Sequence, residues 1–319
     1  MPWLLLTLSC IILWGTTDIL YKKSSDYNDP LSHFKTFVWI GIIMAPAGGI
    51  MALCSDTLLE SIMMVKDNLY LIPLCIFYAI ALFFGLLGKK HLDASVVSPL
   101  ENIDGAMAAI ILYFFFLFTD RSHITNSIGI LEIAATVAII VGVVLLGIQE
   151  HKLSKQEMTL AKDKRKHRLG ALALIFPLLY NLVDAVSMVA IGITVSEETE
   201  VAIPDIDFFV FECLGFVVVA VFMWLYMLIV KKYKYNPFKK KEAVRCGAAV
   251  GETFGTMTYT FAVGSNPILT APITSSYCLV TIILARVFLK ERLTKKQYLS
   301  LALVVIGVVS LGISEIFNI

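Results

Sequence analysis

Charge is scarce in this chain of 319 residues: Asp, Glu, Lys and Arg make up 16% of it, against 58% for hydrophobic residues. With a mean hydropathy of +0.81, that balance excludes a water-soluble globule, which needs far more polar surface. Barrel-like alternation is absent too, so helices remain as the way to satisfy every backbone group in lipid. Cysteine is sparse. Cys10, Cys54, Cys75, Cys213, Cys246 and Cys278 lie mostly in or beside apolar runs without paired spacing, and read as free core thiols. His33, His91, His123, His151 and His167 are scattered through loops and form no HExxH or Cys/His cluster, so no metal site is expected. No Walker loop is present, because Gly85-Leu-Leu-Gly88-Lys89 has two residues between its glycines where four are needed. ATP-driven transport by this chain alone is thereby set aside, and no cofactor is expected. The basic residues sit in short loops rather than on one face, which leaves no nucleic-acid surface. No basic residue precedes Lys22 and no small-residue cleavage site stands out, so the first apolar stretch is expected to be a span and not a removed signal.

What the chain does have is long apolar runs. Cut where charges cluster, they fall at 3–21, 34–54, 69–88, 95–118, 126–148, 169–193, 206–230, 245–263, 267–289 and 297–314. The stretch Gly142 to Ile148, GVVLLGI, returns as GVVSLGI at Gly307 to Ile313, with six of seven letters unchanged. A repeat at that spacing predicts a five-segment unit written twice: 1–148 and 169–319, joined by a basic polar linker at 149–168. Because five is odd, like-folded halves enter the membrane from opposite sides, the inverted plan common among secondary transporters. The expected fold is therefore an all-α integral membrane protein, ten transmembrane helices in two inverted five-helix repeats around a central cavity.

Of the 26 Lys and Arg residues, 23 fall in or beside loops after odd-numbered spans. Lys66 and Arg121 fall on the other side, and Arg286 lies within span nine. The positive-inside rule then puts the odd-numbered loops in the cytoplasm and both termini outside the plasma membrane. Ser196-Glu-Glu-Thr-Glu200, Asp205 and Asp207 lie on the inferred outer side.

The residues SNPILTAPITSSYCLVTIILARVFLKERLTKKQ, Ser265 to Gln297, followed by IGVVSLG, resemble the drug/metabolite transporter superfamily, specifically its EamA-type ten-span members. ASVVSPLENID, Ala94 to Asp104, and Gly142 to Ile148 echo this in the first half. The distinctive letters are Pro99, Pro267, Pro272, the Lys290-Glu291-Arg292 turn and the two Gly-rich span ends. This resemblance implies a secondary transporter whose spans enclose a central cavity, with spans five and ten to the side. It implies no particular substrate. Thr119-Asp-Arg-Ser122 stands where the family's glutamate-containing turn would be, and family members are described with cytoplasmic termini, opposite to the charge bias here.

Seven carboxylates fall within the apolar runs: Asp18, Glu101, Asp104, Glu132, Asp184, Glu212 and Glu252. A charge at a helix centre costs about 2.5–3.5 kcal/mol on insertion scales, so such groups face a wet cavity or a partner, or carry a proton. Arg286 is the one base clearly inside a span and can pair at most one or two of them. Aligning spans one and six matches Trp14 and Asp18 with Tyr180 and Asp184. A ring and a carboxylate four residues apart share a helix face and suit an organic cation. The other reading of each Asp is a helix-end cap or a bond across the bundle. Glu101 and Asp104 lie one turn apart beside Asn102, after Pro99, and are expected to exchange a proton during transport. Alternatively, Asp104 holds a backbone amide of a broken helix. Glu252, Thr256 and Tyr259 follow helical spacing, while Gly247, Gly251 and Gly255 form a packing stripe. Thr270, Thr274, Tyr277 and Thr281 share a face of span nine, and their hydroxyls either meet substrate or bond neighbouring helices. Glu132 and Glu212 have no partner pattern.

These residues predict a proton-coupled or facilitative secondary transporter of a small organic cation, zwitterion or amino-acid-like metabolite, working by alternating access as a monomer or homodimer in the lipid bilayer. The expected substrate site is Trp14, Asp18, Glu101, Asn102, Tyr180, Asp184, Glu252, Tyr259, Thr274 and Tyr277, with Glu101 and Asp104 carrying the proton. The shortage of buried Lys and Arg argues against phosphorylated substrates. The rival is a membrane-embedded transferase using Glu101 and Asp104, since ENIDGAMA, Glu101 to Ala108, resembles the start of the CDP-alcohol phosphotransferase motif. Ala109 stands in place of that motif's arginine, and the later spaced aspartates are missing.

Overall fold

The computed structural model describes residues 2–26, 28–67, 71–92, 94–119, 129–160, 173, 175–195, 203–289 and 294–317. Nearly all of them are helical. The elements are α1 (Pro2–Ser24), α2 (Ser32–Cys54), α3 (Leu58–Asp67), α4 (Leu71–His91), α5 (Ala94–Glu101), α6 (Asp104–Phe118), α7 (Ile130–Leu160), α8 (Ile175–Val195), α9 (Asp205–Leu225), α10 (Ala243–Ser265), α11 (Pro267–Thr274), α12 (Tyr277–Leu289) and α13 (Lys295–Phe317). A π-helical turn, Tyr226–Val230, extends α9. Among the described residues, six helical segments are long and apolar enough to cross a membrane.

Local chemistry fixes the ends. Lys22 and Lys23 occupy the last turn of α1, where cations meet the negative end of the helix dipole. The Lys22 ammonium also donates to the carbonyls of Lys89 and Leu92 at the end of α4, at 2.9 and 2.5 Å. Asn266 caps α11 by accepting from the Leu269 amide at 3.0 Å, with Pro267 at the first helical position.

α7 runs on as helix through the start of the polar linker, to Leu160; the remainder of the linker, 161–168, lies outside the described residues. The connection after the second span contains the short helix α3, held by Asp207 on α9. That carboxylate accepts from Ser55, from Thr57 at 2.7 Å and from Ser61 at 2.7 Å. The stretches 120–122, 196–200 and 290–292 also lie outside the described residues, as does the side chain of Glu132.

The helices are inside-out relative to those of a soluble protein. On α8, Leu178, Leu182 and Val186 form an exposed stripe at i, i+4, i+8, while Tyr180, Asn181, Asp184 and Ser187 are buried. That is the polarity expected where lipid surrounds the bundle and polar groups must find partners inside. The segment Pro267–Phe288 is the most enclosed of the six candidate spans, with 83% of its apolar window buried. It stands at the centre of the fold.

Small residues set the closest approaches. A side chain at Gly251 would meet Thr17, and one at Gly255 the ring of Trp14, so the stripe on α10 is where α1 packs. The repeated span ends answer each other: Gly142 on α7 faces Ser300 and Val304, and Gly307 on α13 faces Ala135 and Ile139. Gly105 on α6 lies against Ser275 and the carbonyl of Ala271, where the two broken spans cross. Gly105→Val is accordingly expected to destabilise the purified protein by about 1–3 kcal/mol, the usual range for overpacking. Thermal unfolding in detergent reads this out, and a wild-type melting temperature would contradict the close crossing.

Candidate functional site

At the bundle centre, two spans are interrupted. The α5/α6 break runs from Glu101 to Asp104 and the α11/α12 break from Thr274 to Tyr277. Asn181 on α8 braces the first break. Its Oδ1 accepts from the Asp104 amide at 2.8 Å, and its Nδ2 donates to the Leu100 carbonyl at 2.6 Å. Such breaks are tolerated at membrane depth where protein groups satisfy the freed backbone. Asp104 also accepts from the Gly105 amide at 2.6 Å, the backbone role the sequence left open for it. Its carboxyl is buried close to that of Asp184.

The second feature is ionic. Lys89, in the last turn of α4, is buried at 2% exposure and places its ammonium 2.9 Å from Asp18 Oδ1 on α1 and against Glu101 Oε2 at the end of α5. Thr281 on α12 donates to the other oxygen of Asp18 at 3.2 Å. This corrects the expectation that no protein base neutralises the central acids. Lys89 sits one residue past the apolar run and counts as a loop cation in the sequence, yet its side chain turns inward. Arg286, the base expected to help, instead bonds Tyr298 on the outside of the bundle. Burying two charges is costly, but removing one partner of a buried pair costs about 3–5 kcal/mol because the other is left uncompensated.

Glu252 on α10 is held differently, by hydroxyls. Tyr21 donates to its Oε2 at 2.9 Å and Tyr78 to its Oε1. Glu212, unassigned from sequence, is buried on α9 and accepts from Thr260 at 2.7 Å. Between these groups stands Trp14, its ring 5.3 Å from that of Tyr259 and 5.9 Å from those of Tyr78 and Tyr277.

Trp14 and Tyr78 border two small hollows. One is lined by Trp14, Thr17, Asp18, Tyr21, Lys89, Tyr180, Glu252 and Tyr277, among others, with about 20 Å³ free. The second, with about 10 Å³, is lined by Trp14, Tyr78, Asp184, Glu212, Thr256 and Tyr259, among others. Such volumes hold a water molecule and not a metabolite. Among the described residues, these two hollows stand where the central cavity is expected. Polar atoms left without a hydrogen-bond partner gather here: Trp14 Nε1, Thr17 Oγ1, Glu101 Oε1, Asp184 Oδ2 and Ser187 Oγ.

Of the residues proposed from sequence, Trp14, Asp18, Tyr180, Glu252 and Tyr277 border the first hollow, and Asp184 and Tyr259 the second. Glu101 joins through Lys89. Two stand apart: Asn102 donates to its own helix at the Ser98 carbonyl, and the Thr274 hydroxyl is spent on the Thr270 carbonyl at 2.7 Å. Sequence reasoning missed Lys89, Tyr21, Tyr78, Thr17 and Asn181. For Lys89 the available signal was Gly85, one turn before it, where Tyr180 and Glu101 lie close to the helix, and Gly88, next to it, where Glu101 does.

An all-helical bundle with an apolar exterior and charged groups gathered at its centre defines a multi-pass integral membrane protein. Residues 178–313 match the EamA-like transporter family, and a match to a transporter family speaks against the transferase reading of Glu101 and Asp104. A solved structure described as "Crystal structure of protein" is similar over 96% of this chain and 95% of its own, with a TM-score of 0.58 and 15% identity, a likeness of fold alone. No curated protein matches the sequence.

Lys89→Met is expected to destabilise the protein by about 3–5 kcal/mol, and adding Asp18→Asn and Glu101→Gln to restore most of the loss. Melting curves in one detergent compare the three proteins. A single variant that melts like wild type would contradict the pairing.

Proposed function

We propose that the protein is a secondary transporter of a small amine-bearing organic cation or zwitterion, amino-acid-like metabolites included. The observation that carries this is the gathering of Asp18, Asp184 and Glu252 in the hollows that Trp14 borders, with Glu101 joined through the buried ammonium of Lys89. Carboxylates recognise the amine and the rings add cation–π attraction. Lys89 favours a zwitterion over a plain cation, since an ammonium is available for a substrate carboxylate.

We further propose ten spans in two inverted repeats, 1–148 and 169–319, working by alternating access. The packing supports this reading. α1 lies mainly on α10 and α8 mainly on α4, α2 pairs with α9, α7 with α13 and α6 with α11. Exchanging the halves maps each pairing onto another or onto itself. Both broken helices stop two residues after a proline, Pro99 or Pro272, and the next helix begins five residues after it. A plasma-membrane location with both termini outside follows from the charge bias, and a monomer or homodimer suffices.

Proton coupling belongs with Asp104, which is buried beside Asp184, more than with Glu101, which Lys89 already neutralises. Proteoliposomes test this with labelled alanine, lysine, putrescine and choline, with and without a pH gradient. Accumulation of at least one is expected, and uptake of none above protein-free vesicles would overturn the substrate class. Asp104→Asn is expected to remove the effect of the pH gradient while leaving downhill uptake. Undiminished pH dependence in that variant would overturn the proton role.

A further inference from the structure

Lys89 is a tethered cation inside a site built for cations. Its ammonium sits between carboxylates from two other elements, Asp18 on α1 and Glu101 on α5, in a hollow walled by the rings of Trp14, Tyr180 and Tyr277. Carboxylates and ring faces together are what an organic ammonium requires of a receptor. The base of α4 is held from outside, since Lys22 anchors the carbonyls of Lys89 and Leu92. The flexible four-carbon stem of Lys89 is thus the movable part. Beside it, Thr17 Oγ1, Trp14 Nε1 and Glu101 Oε1 are buried without hydrogen-bond partners. Buried polar groups normally have partners, so these are unused positions for a polar ligand next to the one the lysine fills.

We propose that the Asp18–Glu101 pair is an ammonium site for which Lys89 and the substrate amine compete, Lys89 being the occupant that lets the unloaded carrier close. This rests on the transport reading above. In an open state, water solvates the two carboxylates. In a closed, dry state two adjacent negative charges need a cation, and either the substrate's amine or Lys89 supplies it. Exchange of one substrate molecule for another crosses the closed state loaded both ways. Net uptake must also cross it empty, and only that step needs the lysine.

The binding half is tested on purified protein with methylammonium as the probe. Lys89→Ala is expected to gain several degrees of melting temperature in methylammonium chloride over sodium chloride at equal ionic strength. Wild type, whose site is filled by its own side chain, is expected to shift by a fraction of that. Equal shifts in the two proteins, or none in the variant, would overturn the proposal. Should Lys89→Ala not purify, the Lys89→Ala/Glu101→Gln double variant, which buries one charge fewer, undergoes the same comparison on Asp18 with the same criteria. The transport half uses the member of the alanine, lysine, putrescine and choline panel that wild type accumulates. Lys89→Gln is expected to lose net uptake about tenfold or more while exchange falls much less. Parallel loss of both, or loss of neither, would overturn the role in empty return. If wild type carries none of the panel, the transport reading fails by itself, and the methylammonium comparison still decides the site.

Discussion

The ammonium of Lys89, lodged between Asp18 and Glu101, is the contact on which the interior depends. Three elements, α1, α4 and α5, approach one another only because that charge lets two carboxylates share a dry space. Without it the first helix and the first broken helix would present like charges to each other in a medium that screens them poorly. The other acids in the centre are each accommodated without a base. Glu252 is held by two phenols, Glu212 by a threonine and Asp104 by the Gly105 amide. Of these central carboxyls, the Asp18–Glu101 pair is the one that consumes a positive charge.

Trp14 organises the space those groups enclose. Its ring lies on Gly255, where no side chain stands in the way, and meets three tyrosines from α4, α10 and α12. Because it borders both hollows, any motion that joins them must move this ring or its neighbour Tyr78. The glycines of α10 are thus part of the site's geometry as well as of helix packing: they let α1 come near enough to place Trp14 and Asp18 at the centre together.

Most of the architecture was legible because lipid imposes it. Apolar runs of spanning length marked the helices, and the doubled GVVLLGI motif marked a pair of helices, each of which sets a glycine against the other. Acids inside such runs pointed inward for the energetic reason that makes them rare there. What stayed hidden lay at the edges of runs. Lys89 ends an apolar segment, and a window of hydropathy cannot say whether a terminal lysine reaches out to water or folds back to a carboxylate. Helix α3 is too short to span, and its position is fixed by three hydroxyls around Asp207, a partner about 150 residues away in sequence. Asn181 was invisible as a brace because its role exists only beside the break in another helix.

In the two repeats proposed above, the halves share a plan and differ in chemistry around Trp14 and Lys89. Trp14 lies over Gly255 and Tyr180 lies close to Gly85, so each half sets an aromatic ring against a glycine of the other half. Four residues past the glycine, α10 carries Tyr259, which packs on Trp14, whereas α4 carries Lys89. The same step along equivalent helices thus delivers a ring face on one side and an ammonium on the other. A centre with full two-fold chemistry would give a substrate two equal poses. Replacing one ring by a charge makes the ends of the site unlike.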